Sequence, residues 1–432
     1  MTTVTMMKKF DVAIVGGGMA GSSLALLLAK KIPSLSIVLI EAFPLNLSAT
    51  NAGASTSPPS YDDRSSALSL GSCRIFQSLG VWEDLLPHAA AIHQVHVSDR
   101  GHPAGTLLDS REMDAIDGAL GYVIENRHIG AVLLKQISAT PAITVLSPAR
   151  ATSATPASDG MDLIIENQSA ALHTSLLVIA DGSESALREQ LGIAVDRKPY
   201  HQAAVIANIT ATAFHQHIAY ERFTDSGPMA LLPLQDFEHE HRCALVWTIS
   251  ESVADEVKKM DDVTFLQHVQ QRFGTRLGFF TKAGKRTIYP LALHTAREQV
   301  RSHLVLMGNA AHSMHPVAGQ GFNLSLRDGA ALTETLQTAV ANAESIGSLS
   351  VLQRYLDQQS WDQEKTINAS HLLTLLFSTS ETSAAFTRNT GLLGLNFFPG
   401  IKTWFAKHAM GISGIGRTGT KREGSGRGNS GR

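Results

Sequence analysis

Residues 10–21 read FDVAIVGGGMAG. Phe10 to Val15 make a short apolar run with β-branched residues, the pattern of a parallel strand buried on both faces. Gly16, Gly18 and Gly21 follow in G-x-G-x-x-G spacing, and SSLALLLAKK then reads as an apolar helix ending in lysines. The first glycine suits a tight turn, the second lets the backbone approach a pyrophosphate, and the third lets helix and strand pack closely. The helix N-terminus would then face the phosphates. LSIVLI (35–40) forms a further strand that ends at Glu41. An acidic side chain about 20 residues after the last glycine is placed to bind ribose hydroxyls. Strand, glycines, helix, strand and acid in register predict an adenine-dinucleotide site. Glu41 serves NAD or FAD alike, so other segments decide between them.

The chain has 432 residues, 44% hydrophobic and 17% charged, enough for a large core and two or three subdomains. A net charge of -2 offers no basic field for a phosphate backbone, which argues against nucleic acid as a partner. Cys73 and Cys243 are the two cysteines; neither sits in a redox or zinc motif, and the pair fits a reducing compartment. The start MTTVTMMKKFDVAIVGGGMAG superficially resembles a secretory signal, but three glycines interrupt it and no small-residue cleavage site follows. No stretch reaches the roughly 18 apolar residues of a spanning helix. The expectation is a cytoplasmic protein, at most peripheral on the inner membrane.

Two further segments bear on the cofactor. LLVIADGSESALREQLGI (176–193) opens as a strand and breaks at Asp181-Gly182 into a helix. Gly182 suits a sharp turn, Ser185 an N-terminal hydrogen bond, and Arg188 can reach phosphate or a neighbouring carboxylate. Alone, this segment reads equally well as a capped helix after a strand. GNAAHSMHPVAGQGFNLSLRD (308–328) follows the strand HLVLMG (303–308) and leads into a helix around Leu324 to Val340. Gly319, Gln320 and Gly321 stand where that helix would begin, so exposed N–H groups and the helix dipole can stabilise negative charge. A reduced isoalloxazine carries such charge at its N1/C2 carbonyl edge, and Asn309 can hydrogen-bond a ribityl hydroxyl.

Together, G-x-G-x-x-G at 16–21, D-G-x-x-S-x-x-R at 181–188 and G-[D/N]-A-A-H-x-x-x-P-x-x-G-Q-G-x-N at 308–323 resemble the FAD-dependent aromatic hydroxylases, the group A flavin monooxygenases. SSALSLGSCRIFQSLGVW, IHQVHVSDRGH, LGYVIENRHIG, ERFTDSGPMALLPL and HPVAGQGFNLSLRD are similar to the ubiquinone-biosynthesis hydroxylase branch. Asn309, where the family usually has Asp, is a feature of that branch. The resemblance implies cofactor contacts from Gly16, Gly18, Gly21, Glu41, Asp181, Gly182, Asn309, Gly319, Gln320, Gly321 and Asn323. It also implies Arg64, in YDDRSSALSL, at the cofactor and Arg127 starting a helix near it. For each arginine the alternative is a surface charge at a helix start. The implied reaction is reduction of FAD by NAD(P)H and, with O2, hydroxylation of a polyprenylated phenol, in the finer match a 2-polyprenyl-6-methoxyphenol. It requires no protein nucleophile, and no catalytic side chain is assigned. A ubiquinone-biosynthesis protein complex is the implied protein partner. Other readings are a flavin monooxygenase of another aromatic, a related polyprenyl reductase, or a flavin-binding scaffold subunit.

The expected architecture is α/β: a Rossmann-like FAD-binding domain with an inserted antiparallel β-sheet substrate domain and a C-terminal helical region. The FAD-binding domain is assigned to 5–76 with 125–190 and 290–345, and the substrate domain to 77–124 with 191–289. Residues 346–412 form the helical region, and 413–432 a disordered basic tail. HQVHVSD (93–99), AAVIANIT (203–210) and ALVWTIS (244–250) read as strands of a sheet roofing the flavin, with PMALLPL (228–234) and YPLAL (289–293) at the pocket wall. Residues 46–60 are small and polar, as in a mobile loop. The stretch 389–412, with Leu392, Leu393, Leu395, Phe397, Phe398, Trp404 and Phe405, reads as a membrane or partner surface, or as a helix covering the core. His312 and His315 lack a carboxylate or cysteine at ligand spacing, so no metal site is expected. His215/His217 and His239/His241 read as solvated loops, and the sequence sets no oligomeric state.

Overall fold

The structure is a computed structural model that describes residues 8–47, 62, 64–100, 105–112, 118–168, 171–314 and 320–378, with side chains to 372 in the last helix. Most of the 46–60 stretch, His315, Gly319, the 389–412 stretch and the 413–432 tail lie outside these residues.

Five parallel strands form the first layer, in the order Leu304–Leu306, Leu172–Ile179, Lys8–Val15, Ile37–Ile40 and Ile143–Leu146. Successive side chains of a strand point to opposite faces, and the first strand shows this directly. Val12 and Ile14 join a core with Leu24, Leu28, Ile129, Leu133, Leu332 and Leu336. These come from the helices Met19–Lys31, Asn126–Ser138 and Gln320–Ala341, which cover one face. Ala13 and Val15 instead pack with Met161, Leu163 and Leu187 on the other face. That face is covered by the antiparallel strands Ala151–Pro156 and Met161–Ile165 and the short helix Ala186–Gln190. Burying each large apolar side chain contributes roughly 1.5–3 kcal/mol, so this two-sided sheet is a rigid support for the loops at its strand ends.

The second layer is a nine-stranded sheet built on the 17-residue strand Val195–Ala211, which pairs with His241–Ser250 on one side and Thr287–Ala296 on the other. Gly227–Pro233, Ile218–Thr224, Gln94–Asp99 and Gly105–Asp109 continue it outward. Val205, Ala207 and Ile209 pack against Phe265, Val269 and Phe273 of the helix Asp262–Phe273. The alternate residues Ile206, Asn208 and Thr210 therefore face away from that helix. A small sheet of Ser65–Ser69, Gly121–Glu125 and Ala90–Ile92 lies on this other side, where Leu70 and Val123 meet Ala219, Leu234 and Ala244.

Some segments sit elsewhere than expected. Leu79, Val81, Trp82 and Leu85, grouped by sequence with the substrate domain, pack into the core beneath the parallel sheet. Pro290–Ala296, grouped with the FAD-binding part, belong to the nine-stranded sheet, where they pair with seven positions of the long strand between Val195 and Ala203. The helix expected around Leu324 begins at Gln320, and the C-terminal region contains the 30-residue helix Leu349–Ser378. His215 is no solvated loop residue: it is 2% exposed and its Nε2 meets the Leu234 carbonyl at 2.9 Å. Among the described residues no helix is long and apolar enough to cross a membrane.

Candidate functional site

The strand Lys8–Val15 ends at Gly16, whose φ of +107° is left-handed territory. A Cβ there would lie 2.4 Å from the Ala180 carbonyl oxygen, and one at Gly21 would lie 1.9 Å from the Gly16 carbonyl oxygen. Only glycine fits either position. The following helix starts at Gly18 in extended conformation with no side-chain cap. Its first N–H groups thus keep their donor capacity for an anion. Glu41 closes the turn from the neighbouring strand: its Oε2 accepts a 2.6 Å bond from the Gly17 N–H, and its Oε1 a 2.9 Å bond from the Phe43 N–H. A carboxylate has about four acceptor sites, so two such bonds leave capacity for ribose hydroxyls. Close-approach glycines, an uncapped helix start and a fixed carboxylate fit the adenosine diphosphate end of FAD.

Asp181 and Gly182 lie at the end of the adjacent strand, Gly182 with φ +103°. Asp181 is crowded by protein yet open at its surface. Burial raises its carboxyl above the usual range and Glu41 adds to this, against the Ser185 hydroxyl and Arg188 charge. Ser185 caps the helix Ala186–Gln190 by accepting the Arg188 N–H at 3.1 Å. The Arg188 side chain, 4% exposed, forms no ion pair with a carboxylate among the described residues. It donates to the carbonyls of Ala310 at 2.9 Å and Ser183 at 2.7 Å, because its one-turn helix directs it beneath the third segment.

That third segment turns at Gly308, φ +61°, where a Cβ would meet Ala20 of the first helix at 3.2 Å. Asn309 is exposed, with Ala310 and Ala311 buried behind it. His312 Nε2 lies 2.9 Å from Asp328 Oδ2, and Gln363 donates to the other Asp328 oxygen at 3.0 Å. The segment is thereby anchored to the helices Gln320–Ala341 and Leu349–Ser378. Gln320 and Gly321 open the first of these. Asn323, 1% exposed, accepts from the Ser69 N–H at 2.9 Å and the Ser72 hydroxyl at 2.6 Å, and donates to the Ala67 carbonyl at 2.8 Å.

Arg64 pairs with Asp62 at 2.6 Å and lies 4.8 Å over the Tyr289 ring. The Tyr289 hydroxyl donates to Asp62 at 3.3 Å, and the Arg127 N–H donates to the Asp62 carbonyl at 3.0 Å. Both arginines thus stand at the seam between the two large sheets. Glu125 holds that seam: it meets Arg127 at 3.2 Å, Arg242 at 2.8 Å and Asn208 at 3.0 Å. Burial raises its carboxyl, but the bonds and charge of Arg242 and Arg127 outweigh this and keep it below the usual range. Sequence reasoning passed over Glu125 and Arg242. The available signal was a lone charge beside an apolar strand, GYVIE and RCALVW, which inside a protein calls for a partner.

Across the seam, Ile206, Ala230, Leu232 and Val246 are only half-buried, although the small sheet and its helix cover this side. Their strand neighbours Val205, Met229, Leu231, Leu245 and Trp247 on the opposite face are fully buried. This half-buried apolar face, with Tyr289 and Asn208 at one margin, is the candidate substrate wall. Among the described residues no group of three or more His, Cys, Asp or Glu could hold a metal ion.

The family described as FAD binding domain matches residues 9–355. The chain is 33% identical over 410 residues to the ubiquinone hydroxylase UbiL of Rhodospirillum rubrum, covering 95% of this chain and 91% of that protein. It is 30% identical over 432 residues to the mitochondrial ubiquinone biosynthesis monooxygenase COQ6 of Homo sapiens, covering 90% and 88%. Among solved structures, p-nitrophenol 4-monooxygenase PnpA from Pseudomonas putida matches with a TM-score of 0.73 and 16% identity, covering 94% of this chain and 98% of that one, a likeness of fold.

Proposed function

Because the chain belongs to the FAD-binding-domain family, in its ubiquinone-biosynthesis hydroxylase branch, and is an FAD-dependent monooxygenase, we propose that it hydroxylates a polyprenylated phenol. The substrate of this reading is a 2-polyprenyl-6-methoxyphenol, with NAD(P)H as reductant and O2 as co-substrate. The observation that carries it is the convergence of three cofactor segments on one edge of the parallel sheet, opposite a half-buried apolar sheet face. Gly16 backs onto Ala180, and Gly308 onto Ala20, so the segments pack together.

In this reading Gly16, Gly18 and Gly21 admit the pyrophosphate to the helix start, and Glu41 accepts from the ribose. Asp181, Gly182 and Asn309 serve the ribityl chain, while the N–H groups of Gln320 and Gly321 stabilise charge at the ring edge. Gly319 belongs with them by sequence. Asn323 acts by holding Ala67, Ser69 and Ser72 in place, and Arg64 and Arg127 border the cofactor from the seam. Bound FAD supplies two-electron and oxygen chemistry that no side chain can perform. The apolar sheet face orients the phenol ring and keeps bulk water from it. A polyprenyl chain is apolar, so contact with a membrane surface or with other quinone-synthesising enzymes accompanies this reading.

Cells lacking the protein test it. Accumulation of a 2-polyprenyl-6-methoxyphenol supports the assignment. Accumulation of a different quinone precursor moves it to another ring position, and unchanged quinone synthesis overturns it.

A further inference from the structure

The half-buried apolar face of the nine-stranded sheet carries a carboxyl group with no partner among the described residues: Glu221, in ERFTDSGPMALLPL. Its strand neighbour Tyr220 points to the other face, where its ring meets Phe273 edge-on at 5.5 Å. Ala219, on the Glu221 side, packs with Leu70 and Val123. Alternation therefore places Glu221 on this half-buried face. It pairs with Ala230 on one side and Val97 on the other, and beyond Ala230 the same row runs through Val246 to Ile206. One carboxyl thus interrupts an otherwise apolar row.

Most charged groups around it are directed elsewhere. His96, Arg222 and Arg276 gather about Tyr220 on the opposite face, with Arg276 donating to Ser98 at 3.4 Å. Asp99, two residues beyond Val97 on the same face and paired with Phe223, is buried at the strand end. Arg242 is engaged by Glu125. Of the helix Leu349–Ser378, which runs against the strand Gly227–Pro233, Lys365 lies over Trp361 and His371 meets the Tyr200 hydroxyl at 2.9 Å. Glu221 itself is half-buried on this face. Burial alone raises its carboxyl above the usual range. Interior carboxylates normally find partners, as Glu125 does with three, and one kept without any on an apolar face is suited to meeting a ligand.

We infer that Glu221 is a catalytic residue of this pocket, its carboxylate accepting the proton of the substrate's phenolic hydroxyl as the ring is hydroxylated. This rests on the phenol-hydroxylase reading above. The phenolic O–H bond breaks, its proton passes to Glu221, and its electron pair moves into the ring, which forms the new carbon–oxygen bond. The displaced ring hydrogen leaves as a proton, and Glu221 returns its own proton to the oxygen it came from. Overall, one atom of O2 enters the ring and the other leaves as water, with two electrons from NAD(P)H.

The test uses the flavin-loaded full chain and a short-chain prenylated 2-methoxyphenol. A base must be ionised, so wild-type kcat rises with pH through a limb above the ordinary glutamate value of about 4.3. Glu221→Gln, the same shape and without a partner to lose, binds flavin normally but lowers kcat roughly 10²-fold with little change in KM, and the acid limb disappears. Its NAD(P)H oxidation continues, releasing hydrogen peroxide in place of product. Glu221→Asp recovers part of kcat together with the limb. A Glu221→Gln enzyme with wild-type kcat, or with the limb intact, overturns the role of Glu221 and leaves the hydroxylase reading standing. A flavin-loaded wild type that hydroxylates no phenol overturns both.

Discussion

Arg188 donates a 2.9 Å hydrogen bond to the Ala310 carbonyl oxygen, 122 residues further along the chain, and so joins the D-G segment to the G-N-A-A-H segment. With its second bond to Ser183, this guanidinium fixes the backbone behind both Asp181 and Asn309. Replacement by methionine keeps much of the volume and removes both bonds. A buried carbonyl left without its donor costs about 1–3 kcal/mol. Arg188→Met should therefore melt several degrees lower and lose flavin more readily on gel filtration. An unchanged melting temperature and flavin content would show that the two segments hold together without it.

The glycines should rank by what surrounds them. At Gly21 a methyl group would sit 1.9 Å from a backbone oxygen, whereas at Gly182 nothing lies within 4 Å and only the positive φ resists a side chain. Gly21→Ala should abolish flavin uptake or folding. Gly182→Ala should cost about 1–2 kcal/mol of strain and keep the cofactor. Flavin absorbance per protein, with circular dichroism as the folding control, distinguishes the two; equal effects would contradict the ranking.

Cys73 and Cys243 are both buried, and burial pushes each thiol up to about 12. Thiolate is the reactive form, so at pH 8 both should resist alkylation in the folded protein and react promptly in denaturant. Mass spectrometry after brief iodoacetamide treatment counts the modified sites. Rapid labelling of either in the native state would be inconsistent with this packing.

His128 stacks on His88 with ring centres 3.9 Å apart, and burial, the His88 charge and Arg127 push it down to about 4. In the unfolded chain a histidine titrates near 6.5. Between these values the unfolded state binds the extra proton, so stability is intact above pH 6.5 and falls as pH drops toward 4. His128→Gln should flatten that fall, read as the urea midpoint at pH 7 and pH 5. Equal slopes for the two proteins would remove His128 from the account.

The elements around the glycine turn were legible because each signal is local. Strand run, glycine spacing, apolar helix and terminal acid lie within Phe10–Glu41, and the structure forms them there. What holds the segments together was not legible. Asn323 finds Ser69 across 254 residues, and Arg188 finds Ala310 across 122, and nothing near either residue encodes its partner. The long strand Val195–Ala211 was read only from Ala203 to Thr210, because VDRKPYHQ has mostly exposed or partly exposed polar side chains and lacks an apolar face. Glu221 was hidden within a quoted segment for the same reason: sequence shows a charged residue, and only the sheet register shows that it stands in an apolar row.

The central claim is tested most directly by incubating the purified protein with FAD, NAD(P)H, O2 and a short-chain prenylated 2-methoxyphenol, and measuring product by mass spectrometry against reductant consumed. The account predicts a phenol one oxygen heavier, formed in near-equal amount to NAD(P)H oxidised and absent without flavin. Flavin-loaded protein that returns the phenol unchanged, across prenyl lengths and with either nicotinamide, would contradict it.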